Sequence, residues 1–189
     1  HAWSSTGGRA GHGKPLQARL PMESEIFAPC GAAALYRRAA LVAAGGFDES
    51  YFCYMEDVDL GLRLRLAGHT ARYVPTAVVQ HVGSATSGGR HSDFSVFHGH
   101  RNMVWTFVKN MPGVLLWALL PLHLVANLAA LVVFSLRGQA GVIARAKWQA
   151  IKGLKAAWRQ RGNIQRHRSA SVRDLYAALD KRCWPRPLK

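Results

Sequence analysis

Acidic residues are scarce in this sequence: 10 Asp and Glu stand against 25 Lys and Arg, for a formal net charge of +15 over 189 residues. Such an imbalance excludes a protein built to repel anions and points to an anionic partner: nucleic acid, phospholipid or a phosphorylated substrate. The excess is not spread evenly. Residues 137–189 hold 14 Lys and Arg against Asp174 and Asp180, a net of +12, which leaves +3 for the rest. A body of ordinary charge therefore precedes a basic tail. Cysteine is also sparse. Cys30, Cys53 and Cys183 are odd in number and lack C-x-x-C spacing, so neither a disulfide framework nor a zinc site is indicated, and a reducing setting is the simpler expectation. No basic segment followed by an apolar core opens the sequence, so no signal peptide is visible, and His1 in place of Met suggests a fragment of a longer chain.

One stretch lacks charge altogether. From Met111 to Leu136 there is no Asp, Glu, Lys or Arg, and at about 1.5 Å per residue the run is long enough to cross a hydrocarbon core of about 30 Å. The Lys and Arg excess belongs on the cytoplasmic side, and so does a catalytic body ahead of the run. A single span would separate the two, which favours a re-entrant or in-plane hairpin bent near Pro121; a true span is the alternative. Beyond it, 141–160 places Val142, Ile143, Ala146, Ala150, Ile151, Leu154 and Trp158 mostly on one face with Lys and Arg on the other, the pattern of a helix lying on anionic lipid.

The remainder reads as a mixed α/β body. Residues 1–24 have the composition of an irregular connection. Ile26 to Tyr36 reads as a buried strand interrupted by Pro29 and Gly31, and 37–44 as a short helix closed by Gly45 and Gly46. Val58, Leu60, Leu62, Leu64 and Leu66 alternate strictly, which is a strand signature. Against it, Glu56, Asp57 and Asp59 crowd the start, Arg63 and Arg65 lie near the end, and Gly68 follows, the charge order and cap of a helix. The helix is the preferred assignment. Two short strands split by Pro75 are expected over 72–79, a loop over 83–90, and a helix over 94–110.

Three carboxylates within four positions, Glu56, Asp57 and Asp59, form the densest chemical constellation. Carboxylates at a helix start can be held ionised by backbone N–H groups, a useful setting for a base that takes a proton from a hydroxyl; an ordinary helix cap explains the same spacing. The segments GAAALYRRAAL (31–41), GGFDESYFCYMEDVDLGLRLRLAGH (45–69) and YVPTAVVQH (73–81) together resemble the acceptor half of family 2 glycosyltransferases, with rhamnosyltransferase-like members closest in character. The resemblance covers roughly residues 26–112.

The resemblance implies an α/β fold, the C-terminal half of a GT-A nucleotide-diphospho-sugar transferase sandwich over 1–110, then a membrane-embedded segment over 111–138 and a basic amphipathic tail over 139–189. It implies inversion by direct displacement with Asp57 as general base and Glu56 in support, and His81 as a ligand of Mg or Mn. Arg101 would bind the donor diphosphate, Asn102 would stand beside it as a substrate-binding residue, and Gly31 and Ala32 would line the acceptor site. The loop over 84–90 would close on substrate. The implied partners are a nucleotide-sugar donor of the dTDP-rhamnose kind, a lipid-linked or polysaccharide acceptor and anionic membrane lipid at the cytoplasmic face of a bacterial inner membrane. No nucleic acid is expected, although Trp148, Trp158, Arg166 and Arg168 give the tail the interleaving of a nucleic-acid binder. One departure stands out: no D-x-D precedes the ED motif, which puts donor binding by this chain in doubt and leaves a non-catalytic membrane adaptor or degenerate fragment as the alternative.

Overall fold

The structure is a computed structural model that describes residues 2–3, 9–10, 24–79 and 91–179. His81 and the loop at 83–90 lie outside the described residues. The described part is mostly helical with little sheet. Strands β1 (Ala2–Trp3) and β2 (Arg9–Ala10) pair with each other, and β1 pairs with β4 (Ala28–Pro29), all antiparallel; β3 (Ser24–Ile26) pairs antiparallel with β5 (Ala71–Tyr73), Ile26 opposite Ala71. The expected strand over Ile26–Tyr36 is thus shorter than its apolar run: Pro29 ends β4, and Gly31–Ala33 turn into a 3-10 segment. Past Pro75 the second expected strand does not form.

The α-helices among the described residues are α1 (Arg38–Ala43), α2 (Glu56–Leu66), α3 (Asp93–Asn110), α4 (Gly113–Leu136), α5 (Ala140–Arg166) and α6 (Val172–Ala178). Helix α2 settles the ambiguity of the alternating leucines. Asp59, Leu60, Gly61, Leu62 and Arg63 are all buried, so consecutive residues face protein on every side and the helical period disappears from the sequence. Gly68 ends the helix with a positive φ of 86°, a conformation open to glycine at little cost.

The main core joins Phe27 and Ala28 at β4, Leu62 and Leu66 of α2, Met111 between α3 and α4, Leu115 and Leu116 at the start of α4, and Leu175 of α6. A smaller cluster gathers Val96 of α3 and Val142 and Ile143 of α5, with Leu131 and Phe134 of α4 packed on it. Helix α5 runs alongside α3. Trp105 Nε1 donates to the Ala150 carbonyl at 2.9 Å, and Arg161 and Gln165 donate to carbonyls at the α3 C-terminus, Val108 and Met111 for Arg161 and Asn110 for Gln165. These are the carbonyls a helix leaves without intrahelical partners.

Two expectations change at this level. Helix α4 continues without a break from Gly113 through Pro121 to Leu136, so there is no hairpin at Pro121. Proline removes one intrahelical hydrogen bond, but Leu119 and His123 on either side are anchored against the protein and carry the helix across it. The tail, in turn, is folded onto the body. Val142, Ile143, Ala146 and Ala150 are buried against it, while Ile151 and Trp158, expected on the same face, are exposed.

Candidate active site

Asp57 is the second residue of α2, and its carboxylate is fixed by main chain. Oδ2 accepts the Gly31 N–H at 3.0 Å and Oδ1 accepts the Val58 N–H at 2.8 Å. Gly31 stands in the 3-10 turn after β4, so this contact ties the sheet side of the molecule to the start of α2. A Cβ at Gly31 would meet Asp57 Cβ at 3.5 Å, which is ordinary contact; the small residue brings the N–H close without being sterically obligatory. Ala32, its neighbour, is exposed.

Glu56 turns inward. Its Oε2 is buried with no hydrogen-bond partner among the described residues, and burial, aided by Asp57, pushes its carboxyl pKa up. Tyr36 shares this environment. Its hydroxyl is likewise buried without a partner among the described residues, and burial together with Asp57, Cys30 and Glu56 pushes its pKa up to about 12. Tyr36 therefore presents a protonated donor beside two carboxylates. Tyr36 lies inside the segment 31–41, and the one sequence signal for its role is a tyrosine that closes an otherwise small and apolar stretch.

The loop before α2 is strained. Phe52, Tyr54 and Met55 have φ of 60°, 65° and 70°, and such left-handed positions cost non-glycine residues on the order of 1 kcal/mol or more each. Met55 also serves as the N-cap of α2 in that conformation, with no side-chain cap. Asn102 offsets the strain. Fully buried, it directs its amide nitrogen at the carbonyls of Tyr51, Cys53 and Tyr54 at 3.0, 2.8 and 2.7 Å, while its Oδ1 accepts from Arg101 Nε. Arg101 Nη2 donates to the carbonyls of Ser50 and Tyr51, and its guanidinium lies over the Trp105 ring. The two residues expected to bind substrate thus hold this loop.

Asp59 is a hub rather than a second reactive carboxylate. With no exposed surface, it accepts from Tyr51 Oη, Arg63 Nε, Lys109 Nζ and Asn110 Nδ2. Lys109 also pairs with Asp48 at 2.6 Å. Burial is the largest single influence on the Asp48 carboxyl and pushes it up, but the hydrogen bonds from Lys109 and Ser50 and the Lys109 charge together outweigh it and hold the carboxyl down at about 2. Arg63 donates to the carbonyls of Ala44 and Gly46. The hub thus joins α1, α2 and α3 behind the ED motif and leaves Asp57 as the carboxylate on the open side.

Among the described residues no group of three His, Cys, Asp or Glu converges as a metal site. A groove lined by Glu25, Arg65, His69, Thr70 and Asp174 lies at the other end of α2 from Asp57, with Arg65 about 12 Å from it along the helix axis, and is separate from this chemistry.

The profile described as glycosyltransferase like family 2 matches residues 14–103. The chain is 41% identical over 98 residues to the N-acetylglucosaminyl-diphospho-decaprenol L-rhamnosyltransferase of Mycobacterium tuberculosis, an alignment covering 47% of this chain and 32% of that protein. It is 51% identical over 45 residues to rhamnosyltransferase WbbL of Escherichia coli, covering 24% of this chain and 17% of that protein. The chain spans about a third or less of the length of these curated relatives. No solved structure matches it. The family profile covers the stretch that contains the Asp57 constellation, and with the two rhamnosyltransferase relatives it shows that this part of the chain is similar to rhamnosyltransferase-like members of glycosyltransferase family 2.

Proposed function

We propose that this chain supplies the acceptor side of an inverting transferase that moves a sugar, rhamnose by analogy with its relatives, from a nucleotide-diphosphate donor to a lipid-linked or polysaccharide acceptor. The setting is cell-envelope glycan synthesis at the cytoplasmic face of a bacterial inner membrane. The diphospho-decaprenol acceptor in the name of the mycobacterial relative favours the lipid-linked alternative.

The observation that carries this reading is the Asp57 carboxylate, oriented by the N–H groups of Gly31 and Val58 at the start of α2. As general base it takes the proton of the acceptor hydroxyl while that oxygen attacks the anomeric carbon; the bond to the diphosphate breaks on the opposite face and the configuration inverts. Glu56 and Tyr36 stand beside Asp57, each holding its own proton more tightly through burial. A divalent Mg or Mn ion, with His81 among its ligands, would offset charge on the departing diphosphate. The described residues do not themselves assemble such a site.

Asp57→Asn in the whole protein tests the assignment. The variant should bind nucleotide donor as the parent does in a calorimetric titration and lose transfer by at least about 100-fold, the scale of a removed general base. Undiminished transfer removes Asp57 from the role. Titrating this chain alone with UDP and dTDP in the presence of Mn measures separately how much donor affinity resides in it.

A further inference from the structure

Helix α4 has the length and composition of a membrane span, yet its surroundings do not suit one. Leu115, Leu119, His123, Asn127, Leu131 and Phe134 form one stripe along it, and each meets protein. Leu115 and Leu119 enter the main core; His123 stacks on Phe107 at 4.0 Å; Asn127 accepts from Lys147; Leu131 and Phe134 cover Val142 and Ile143. The anchored stretch runs about 28 Å from Leu115 to Phe134 at 1.5 Å per residue. A crossing α4 would therefore draw α3 and α5 into the hydrocarbon with it, carrying Lys147, which bridges Asn127 and the His100 carbonyl, as well as Arg101, Arg145, Lys152 and Lys155. Charges at membrane depth are strongly disfavoured.

The opposite stripe has no protein cover among the described residues. Val114, Trp117, Leu124, Val125, Leu128, Val132 and Leu136 are exposed, Leu136 at 84%. The neighbouring helix α5 adds an exposed stripe of its own in which Trp148, Ile151 and Trp158 alternate with Lys152, Lys155 and Arg159, and Lys152 lies over the Trp148 ring. Tryptophan beside cations is suited to the headgroup level of a bilayer, and the cations select anionic lipid.

We propose that α4 is an in-plane, monotopic membrane helix, seated on anionic lipid by the Val114–Leu136 outer stripe with the basic face of α5 engaging headgroups. This deepens the membrane setting proposed above. It accounts for an uncharged 24-residue helix whose other side carries His123 and Asn127, and it keeps both ends of α4 on the side of Asp57.

Two measurements on the whole chain test it, and neither requires turnover, so they stand or fall apart from the transferase reading. First, Val125→Asp, Leu128→Asp and Val132→Asp combined alter only exposed positions. Cosedimentation with vesicles of phosphatidylcholine and phosphatidylglycerol should weaken at least about 10-fold while circular dichroism is unchanged. Lys152→Gln with Lys155→Gln should weaken binding to these vesicles but not to pure phosphatidylcholine. Unchanged binding by the triple variant overturns the proposal, as does an oligomeric state that changes with that variant in the absence of lipid while vesicle binding does not. Second, with the native cysteines replaced by serine, Gly113→Cys and Arg137→Cys are placed singly at the two ends of α4 in reconstituted vesicles. A membrane-impermeant thiol reagent should reach both from the same side; protection of one end until the vesicles are opened shows a crossing helix and overturns the proposal.

Discussion

Replacing Gly61 with alanine probes the contact that holds the candidate base in place. Helix α2 lies so close to β4 that a Cβ on Gly61 would stand 2.3 Å from the Cβ of Ala28, whereas ordinary contact begins near 3.4 Å. Neither atom is the end of a flexible side chain, so relief requires the helix and strand to part by about 1 Å. Overpacking of this kind costs about 1–3 kcal/mol, and the gain in helix propensity from Gly to Ala returns about 1 kcal/mol or less. The net expectation is a loss of about 1–2 kcal/mol, a fall in Tm of several degrees for a chain of this size. The same displacement reaches the site. Gly31 follows β4 by two residues, and its 3.0 Å bond to Asp57 Oδ2 would lengthen beyond hydrogen-bond range. Thermal or denaturant unfolding reads the first effect and amide exchange at Gly31 the second. Adding Ala28→Gly to Gly61→Ala restores the space from the other side and should recover most of the loss, less the cost of a glycine in the strand. A Gly61→Ala protein as stable as the parent, or a double variant no better than the single one, refutes the close-packing argument.

Asp59→Asn leaves Lys109 and Arg63 buried with their shared counter-charge removed, although Lys109 keeps Asp48. A loss of about 3 kcal/mol in urea unfolding is expected, and a loss below about 1 kcal/mol contradicts the hub. Asn102→Asp replaces the amide by an oxygen aimed at three carbonyls; amide exchange over 52–58 should quicken while protection of α5 around Ala150 persists, and uniform exchange changes would show that Asn102 is not a local clamp. His100 is held neutral by burial and by Lys147, its pKa pushed down to about 4. The unfolded chain binds that proton first, so stability is intact above about pH 6.5 and falls as pH drops toward 4. Allowing for partial exposure, the loss is about 1–2 kcal/mol, and His100→Phe should flatten this limb of the pH–stability profile.

How much of this was legible in the sequence depends on whether the signal was local. The ends of α2 were legible, because carboxylates at its start, arginines at its end and Gly68 act within a turn of where they sit. The interior was ambiguous for a physical reason: Gly61 faces β4, Asp59 faces α3, and Leu62 and Leu66 face the core, so burial on several sides erased the period. Asp57 at the helix start followed from the motif, but its second anchor, the Gly31 N–H 26 positions earlier, is a tertiary contact that no spacing announces. Asn102 and Arg101 show the limit most clearly. The sequence marks the pair as polar and adjacent; that their donors close on carbonyls 48 to 51 residues away follows only once the chain at Phe52, Tyr54 and Met55 is seen in a left-handed conformation that needs holding. Helix α5 is the complementary case. Val142, Ile143, Ala146 and Ala150 of its expected face are buried while Ile151 and Trp158 are exposed, because hydrophobicity does not say whether a residue meets lipid or protein. Alanines at 146, 150 and 157 with Gly153 under the Trp105 ring allow α3 to approach at a distance that bulkier side chains would prevent. Small residues on one side and tryptophans on the other are the pattern of a helix that packs inward with the first and is left to face its surroundings with the second.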